Sequence, residues 1–171
     1  MPPDYVPFVD AGPRLRQRNG GNIPGVNTPF WYISQRDKTP ATLHIEDGDL
    51  GSVNFLLAGA PKIWLFIPEH EKARPEDYIK ELYGAGRFTC SQKIRHYNAI
   101  ISLALLEEWG ITYYLDYCLA GEMIFTRRNT YHQILNLGSN VAESINIEFS
   151  NTPDMPANYV WCKKGKDSTA C

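Results

Sequence analysis

From Thr28 onward the chain is a series of short apolar runs separated by turn residues. Such runs at residues 30–33, 42–46, 52–58, 62–67, 111–117, 122–126 and 141–149 predict strands. Two stretches predict helices, one over 76–83 that follows Pro75 and stops at Gly84, the other over 98–109 that stops at Gly110. Residues 1–24 have a different texture, rich in Pro, Gly and Arg, with Arg14, Arg16 and Arg18 interrupted by Leu15 and Gln17, and predict an arm or loop. Residues 25–150 form the expected domain, and 151–171 a C-terminal segment whose Lys163-Lys164-Gly165-Lys166 run reads as a solvated tail. Many short strands with helical insertions predict a mainly β fold, an antiparallel jelly roll.

Composition narrows the function classes. The 171 residues are 43% hydrophobic, 21% charged and 12% aromatic, with 17 basic and 19 acidic side chains. That balance excludes a disordered chain, a coiled coil and a general polyanion binder, and gives no strong sign of direct nucleic-acid binding. The longest apolar stretch, 99–106 with Ser102 inside it, is too short to span a bilayer. An N-terminus reading Met-Pro-Pro-Asp, without a basic then apolar leader, is expected of a cytosolic or nuclear protein. In such a compartment Cys90, Cys118, Cys162 and Cys171 are read as thiols or metal ligands.

Candidate chemistry centres on Leu43-His44-Ile45-Glu46-Asp47. On a strand His44 and Glu46 face one side and Leu43 and Ile45 the other. His132, after the strand-like run at 121–125, offers a second imidazole, and two His with one carboxylate make the facial triad of non-haem iron oxygenases. An H-x-E triplet also arises by chance on surfaces. Asn54 lies ten residues beyond His44, on a strand whose Val53, Phe55 and Leu57 face away. Lys62 opens the apolar strand at 62–67, where it is either an ammonium snorkelling from a strand end or a buried cation that holds the far carboxylate of a dicarboxylic acid such as 2-oxoglutarate.

The segments Gly25-Val26-Asn27-Thr28-Pro29-Phe30-Trp31-Tyr32, His44-Ile45-Glu46-Asp47, Ser52-Val53-Asn54-Phe55, Gly59-Ala60-Pro61-Lys62-Ile63-Trp64, Ala120-Gly121-Glu122, Tyr131-His132 and Asn140-Val141-Ala142-Glu143-Ser144-Ile145-Asn146 together resemble the JmjC domain. Within that family they resemble the histone lysine demethylases that act on trimethyl- and dimethyl-lysine. The resemblance implies an Fe(II)- and 2-oxoglutarate-dependent dioxygenase on a double-stranded β-helix, located in the nucleus, that hydroxylates an N-methyl group of a histone tail or other basic peptide. It further implies His44, Glu46 and His132 as iron ligands; Lys62, Asn54, Trp64 and Thr126 around the cosubstrate; and Gly25, Tyr32, Ser144 and Asn146 as a polar cage for the methylated ammonium. A quaternary ammonium has no N–H to donate, so such a cage must present oxygens to its polarised methyl groups.

Against the family pattern, Ala41 replaces an aromatic three residues before the first His ligand, and the segment that supplies a tyrosine hydroxyl to the cosubstrate is shortened. Tyr5 could supply that hydroxyl or belong to an unordered terminus. A JmjN segment is lacking, so the chain is expected to be a minimal member or a piece of a longer product. In the resembling demethylases a Cys-x5-His pair like Cys90 and His96 joins two later cysteines around Zn(II). Cys162 matches the first, Lys164 stands at the second, and Cys171 would have to substitute; otherwise Cys90 and Cys162 are small buried hydrophobes. The acidic run Glu46-Asp47-Gly48-Asp49 is expected to favour a basic peptide. Three other functions compete: a JmjC protein hydroxylase, a JmjC-like scaffold or methyl-lysine binding module without turnover, and a cupin-like small-molecule binder.

Overall fold

The computed structural model describes residues 4–18, 23–84, 90–148 and 156–161. Among them eight strands run β1 (Phe30–Ser34), β2 (Thr39–His44), β3 (Gly51–Gly59), β4 (Lys62–Ile67), β5 (Tyr114–Cys118), β6 (Met123–Thr126), β7 (Tyr131–Asn136) and β8 (Asn140–Ile147). They form two four-stranded sheets, ordered β1-β8-β3-β6 and β2-β7-β4-β5, with every pairing antiparallel. Except at the step from β4 to β5 the chain crosses to the other sheet with each new strand, which is the jelly-roll winding that the pattern predicts.

Period-two alternation decides what each face does. On β4, Lys62 and Trp64 face the space between the sheets, whereas Leu65 and Ile67 join Leu43 and Ile45 on the outer face of the second sheet. That outer face is covered by α2 (Ala73–Tyr83), α3 (Leu103–Glu108) and the 3-10 turn Lys93–Tyr97 through Ile79, Leu106 and Ile94. Burial on both faces explains why β4 reads as an almost continuous apolar run. Among the described residues no helix is long and apolar enough to cross a membrane.

Three elements differ from the expected pattern. The helix expected over 98–109 starts only at Leu103, where Ser102 Oγ accepts from the Leu105 amide at 3.2 Å. Residues 99–101 are tied to strands instead, Leu43 N to Ala99 O at 2.8 Å and Ile101 to both ends of the Gln133 amide at 2.9 and 2.7 Å. Strand β7 carries no simple alternation, because it is central in its sheet and its polar residues His132, Gln133 and Asn136 have separate partners. The expected arm contains α1 (Gly12–Arg18), and Val9, Ala11 and Leu15 bury against Leu50, Val53 and Ile145 on the outside of the first sheet. Its apolar residues, dispersed among Pro, Gly and Arg, were too few to mark a packed element.

Candidate active site

Strands β2 and β7 pair so that His44 lies directly opposite His132, with a register shift between Ala41 and His44. The strand ends at His44, and Glu46 follows in extended backbone (φ −72°, ψ 151°), so the expected common face survives although only the histidine is in the strand. One donor atom from each of His44, Glu46 and His132 lies within 4.8 Å of the others. His132 Nε2 is 3.4 Å from Glu46 Oε1.

The hydrogen bonds behind the rings decide what this cluster offers. His44 Nδ1 meets the Thr42 carbonyl at 2.6 Å and His132 Nδ1 meets the Thr130 carbonyl at 3.1 Å. A carbonyl only accepts, so each Nδ1 carries the proton and each Nε2 is left with its lone pair. Burial, with the neighbouring His132, pushes His44 down to about 3, which keeps the imidazole neutral at physiological pH. Asn146 Nδ2 donates to Glu46 Oε2 at 2.9 Å. Two imidazole nitrogens and a carboxylate oxygen thus converge with their rear atoms hydrogen-bonded, an arrangement that fits a divalent cation.

The cluster opens on a cavity of about 730 Å³ between the sheets, into which Lys62, Asn54, Trp64, Ser52 and Asn136 also project. Lys62 is only 4% exposed, and among the described residues nothing forms a hydrogen bond or ion pair with it. Burial pushes its ammonium below the ordinary lysine value. Asn54 Oδ1 and Trp64 Nε1 are buried without partners. A cation, an acceptor and a donor, all unmatched in one cavity, are the polar complement of a bound carboxylic acid.

At the mouth, Gly25, Tyr32, Ser144 and Asn146 line the same cavity. Gly25 has φ +78°, and a Cβ there would stand 2.6 Å from the Phe30 ring, so only glycine fits. Ser144 donates its hydroxyl proton to Val53 O at 2.8 Å, and Asn146 donates to Glu46 and to Gly51 O at 3.2 Å. What these two groups turn to the cavity is therefore lone-pair oxygen.

Residues 31–147 match the family model of the JmjC domain, hydroxylase. The chain belongs to the JmjC family. It is 38% identical over 157 residues to lysine-specific demethylase 4D of Rattus norvegicus, covering 92% of this chain and 29% of that protein. It is 36% identical over 157 residues to probable lysine-specific demethylase 4F of Homo sapiens, covering 92% and 23%, and 35% identical over 152 residues to lysine-specific demethylase 4B of Mus musculus, covering 89% and 13%. The chain thus spans less than a third of the length of these relatives.

The other residues picked from the sequence of this JmjC domain fall in several places. Tyr5 does not line the cavity. Its hydroxyl donates to the fully buried Glu143, and its ring packs edge-on against Trp31, both on the opposite face of the first sheet from Tyr32 and Ser144. Strand alternation fixes this, since Glu143 and Ser144 are neighbours. Thr126 lies directly opposite Ser52 on the neighbouring strand, 1% exposed and bonded to Ser52 Oγ at 2.6 Å, and it is Ser52 that lines the space. The acidic run is not a free negative surface, because Asp47 pairs with Arg95 at 3.0 Å and Asp49 with Arg128. Cys90 Sγ and His96 Nε2 lie 3.1 Å apart, while Cys162 and Cys171 lie outside the described residues. Cys118 is buried in the apolar cluster of Leu56, Trp64 and Ala142. Sequence reasoning missed Ser52, Gln92, Arg95 and Tyr159, whose roles depend on partners more than forty residues away.

Proposed function

We propose that this chain is the catalytic core of an Fe(II)- and 2-oxoglutarate-dependent demethylase of N-methyl-lysine in a histone tail or other basic peptide, working in the nucleus. The observation that carries the reading is the convergence of His44 Nε2, His132 Nε2 and the Glu46 carboxylate on one side of a cavity that holds the unmatched Lys62 ammonium. When bound there, iron would supply the redox chemistry that couples decarboxylation of 2-oxoglutarate by O₂ to hydroxylation of an N-methyl carbon, which then leaves as formaldehyde.

The chain's own residues would bind and orient. His44, Glu46 and His132 would hold the metal on one face and leave the others for cosubstrate. Lys62 would take the far carboxylate by a charge-assisted bond, with Asn54 and Trp64 Nε1 beside it. Gly25, Tyr32, Ser144 and Asn146 would surround the methylammonium with oxygen, fixing one methyl carbon toward the metal; proximity of that kind is what the reaction needs from the protein. For Cys90 and His96 we infer a structural Zn(II), completed by Cys162 and Cys171. Two of four ligands already in contact support that reading.

A trimethyl- or dimethyl-lysine peptide should stimulate 2-oxoglutarate consumption and release formaldehyde, and the unmethylated peptide should do neither. A second reading, methyl-lysine binding without turnover, is favoured by Ala41 and by Tyr5 facing away from the cavity, which leave the cosubstrate fewer contacts. Binding of methylated peptide with no formaldehyde, given Fe(II), ascorbate and O₂, would select it.

A further inference from the structure

The backbone around Glu46 does not hold itself in place. Immediately after this residue the chain turns through two successive left-handed residues, Gly48 at φ +63° and Asp49 at φ +60°, and the second is a conformation that an L side chain disfavours. The turn closes on a long backbone bond, Leu50 N to Asp47 O at 3.3 Å, and Glu46 makes no side-chain cap to it. Left alone, such a loop would sample other paths and carry the carboxylate away from the two imidazoles.

Arg128 holds the far end of the loop through Asp49, and the part around Glu46 is held from two other distant stretches. Gln92 Nε2 donates to the backbone carbonyl of Glu46 itself at 2.8 Å. Arg95 donates from Nη2 to Ile45 O and from Nη1 to Asp47 Oδ2, both at 3.0 Å, so it grips the residues on either side of Glu46. From the other side of the loop, Tyr159 Oη accepts from Gly48 N at 2.9 Å and from Gln92 Nε2 at 3.0 Å, which links the two stretches. Residue 159 is anchored in turn, since its neighbour Val160 exchanges bonds with Ser91 at 2.8 and 2.9 Å. Gln92 is 3% exposed, and its own Oε1 is buried with no partner. An amide held so that its donor end reaches the loop while its acceptor end is left unmatched is placed for the loop, because packing alone would favour an apolar side chain there.

We propose that Gln92, Arg95 and Tyr159 are positioning residues that hold the 45–48 loop so that the Glu46 carboxylate faces His44 and His132. The proposal rests on reading His44, Glu46 and His132 as a metal triad. Second-layer contacts of this kind set how closely a ligand matches the geometry a metal requires, and their loss weakens metal binding while the ligand itself remains. Gln92 and Arg95 lie within the stretch 90–96 that also carries Cys90 and His96, so that part of the brace and the Cys-His pair belong to one structural unit.

The test is an anaerobic titration of the full chain with Co(II), whose visible d–d absorption reports ligand geometry, after one equivalent of Zn(II) has been bound so that the Cys-His pair does not take up the probe. Wild type, Gln92→Met, Tyr159→Phe and Glu46→Ala would be compared for affinity and spectrum, and the metal-free proteins for thermal stability. Gln92→Met should bind Co(II) about tenfold or more weakly with an altered spectrum, and Tyr159→Phe should move both in the same direction by less. The metal-free melting temperatures should change little, which a purely structural contact would not produce. Wild-type affinity and spectrum in both variants, with Co(II) binding lost in Glu46→Ala, would overturn the proposal and leave the triad standing. Wild type binding no better than Glu46→Ala would remove the triad reading and the proposal with it. If Gln92→Met does not fold, Tyr159→Phe, which lacks a single oxygen, decides alone.

Discussion

Replacing Lys62 by Met should make the ligand-free protein more stable while destroying its response to 2-oxoglutarate. Lys62 sits at the start of β4 between Cys118 of β5 and Asn136 of β7, 4% exposed, and nothing among the described residues forms a hydrogen bond or ion pair with its ammonium. An ammonium drawn from bulk water to a cavity wall with no charged partner opposes folding, by up to about 1–3 kcal/mol, and Met keeps the length and most of the packing. For a domain of this size each kcal/mol moves the melting temperature by roughly 2–4 °C, so the free variant should melt several degrees higher. Burial lowers the folded-state value of Lys62 below its ordinary 10.5, so the unfolded chain binds more protons between the two values. The penalty is therefore complete below the folded-state value and fades as pH rises toward 10.5, and the advantage of Met should fade with it. With Mn(II) present and 2-oxoglutarate at a thousand times its dissociation constant, wild type should gain about 4.1 kcal/mol and the variant nothing, which inverts their order. Thermal denaturation with and without cosubstrate reads all of this. A variant that is less stable when free, yet still stabilised by 2-oxoglutarate, would refute the reasoning.

Leu15 in α1 is 0% exposed, so Leu15→Ala should destabilise the protein by about 2–5 kcal/mol in chemical denaturation, as expected of a core residue and not of an arm. Asn146→Leu removes the donor at 2.9 Å from Glu46 Oε2 and should weaken Co(II) binding by about 10- to 100-fold in a direct titration. Gly25→Ala forces a carbon to 2.6 Å from the Phe30 ring at φ +78°, so it should weaken binding of a trimethyl-lysine peptide, measured calorimetrically, more than it weakens binding of 2-oxoglutarate.

The run Lys62 to Ile67 was readable to the residue, because a strand buried on both faces is a continuous apolar stretch bounded by a turn on each side. Strand β7 was not, although His132 on it was picked out, since a central strand that feeds polar side chains into a site breaks its own alternation. The convergence of His44, Glu46 and His132 was legible from residue type and two-residue spacing together with the family resemblance, and both properties survive the passage from strand to turn at Glu46. The brace on Glu46 was invisible for a different reason. Gln92 and Arg95 lie within the quoted Cys90–His96 stretch, but their partners at 45–47 and 159 are set by tertiary folding, and no local pattern encodes that contact. Tyr5 shows the converse, a residue of the right type whose face of the sheet was decided by where Val9 and Leu15 bury.

Anaerobic reconstitution of the chain with Fe(II) and 2-oxoglutarate tests metal and cosubstrate together, because a 2-oxoacid bound through two atoms to Fe(II) gives a weak visible charge-transfer band. Wild type should develop the band at about one iron per chain, and both His132→Ala and Lys62→Met should abolish it at the same concentrations. Failure of the band to appear in wild type, or its persistence in His132→Ala, would contradict the assignment of this cavity as an iron and 2-oxoglutarate site.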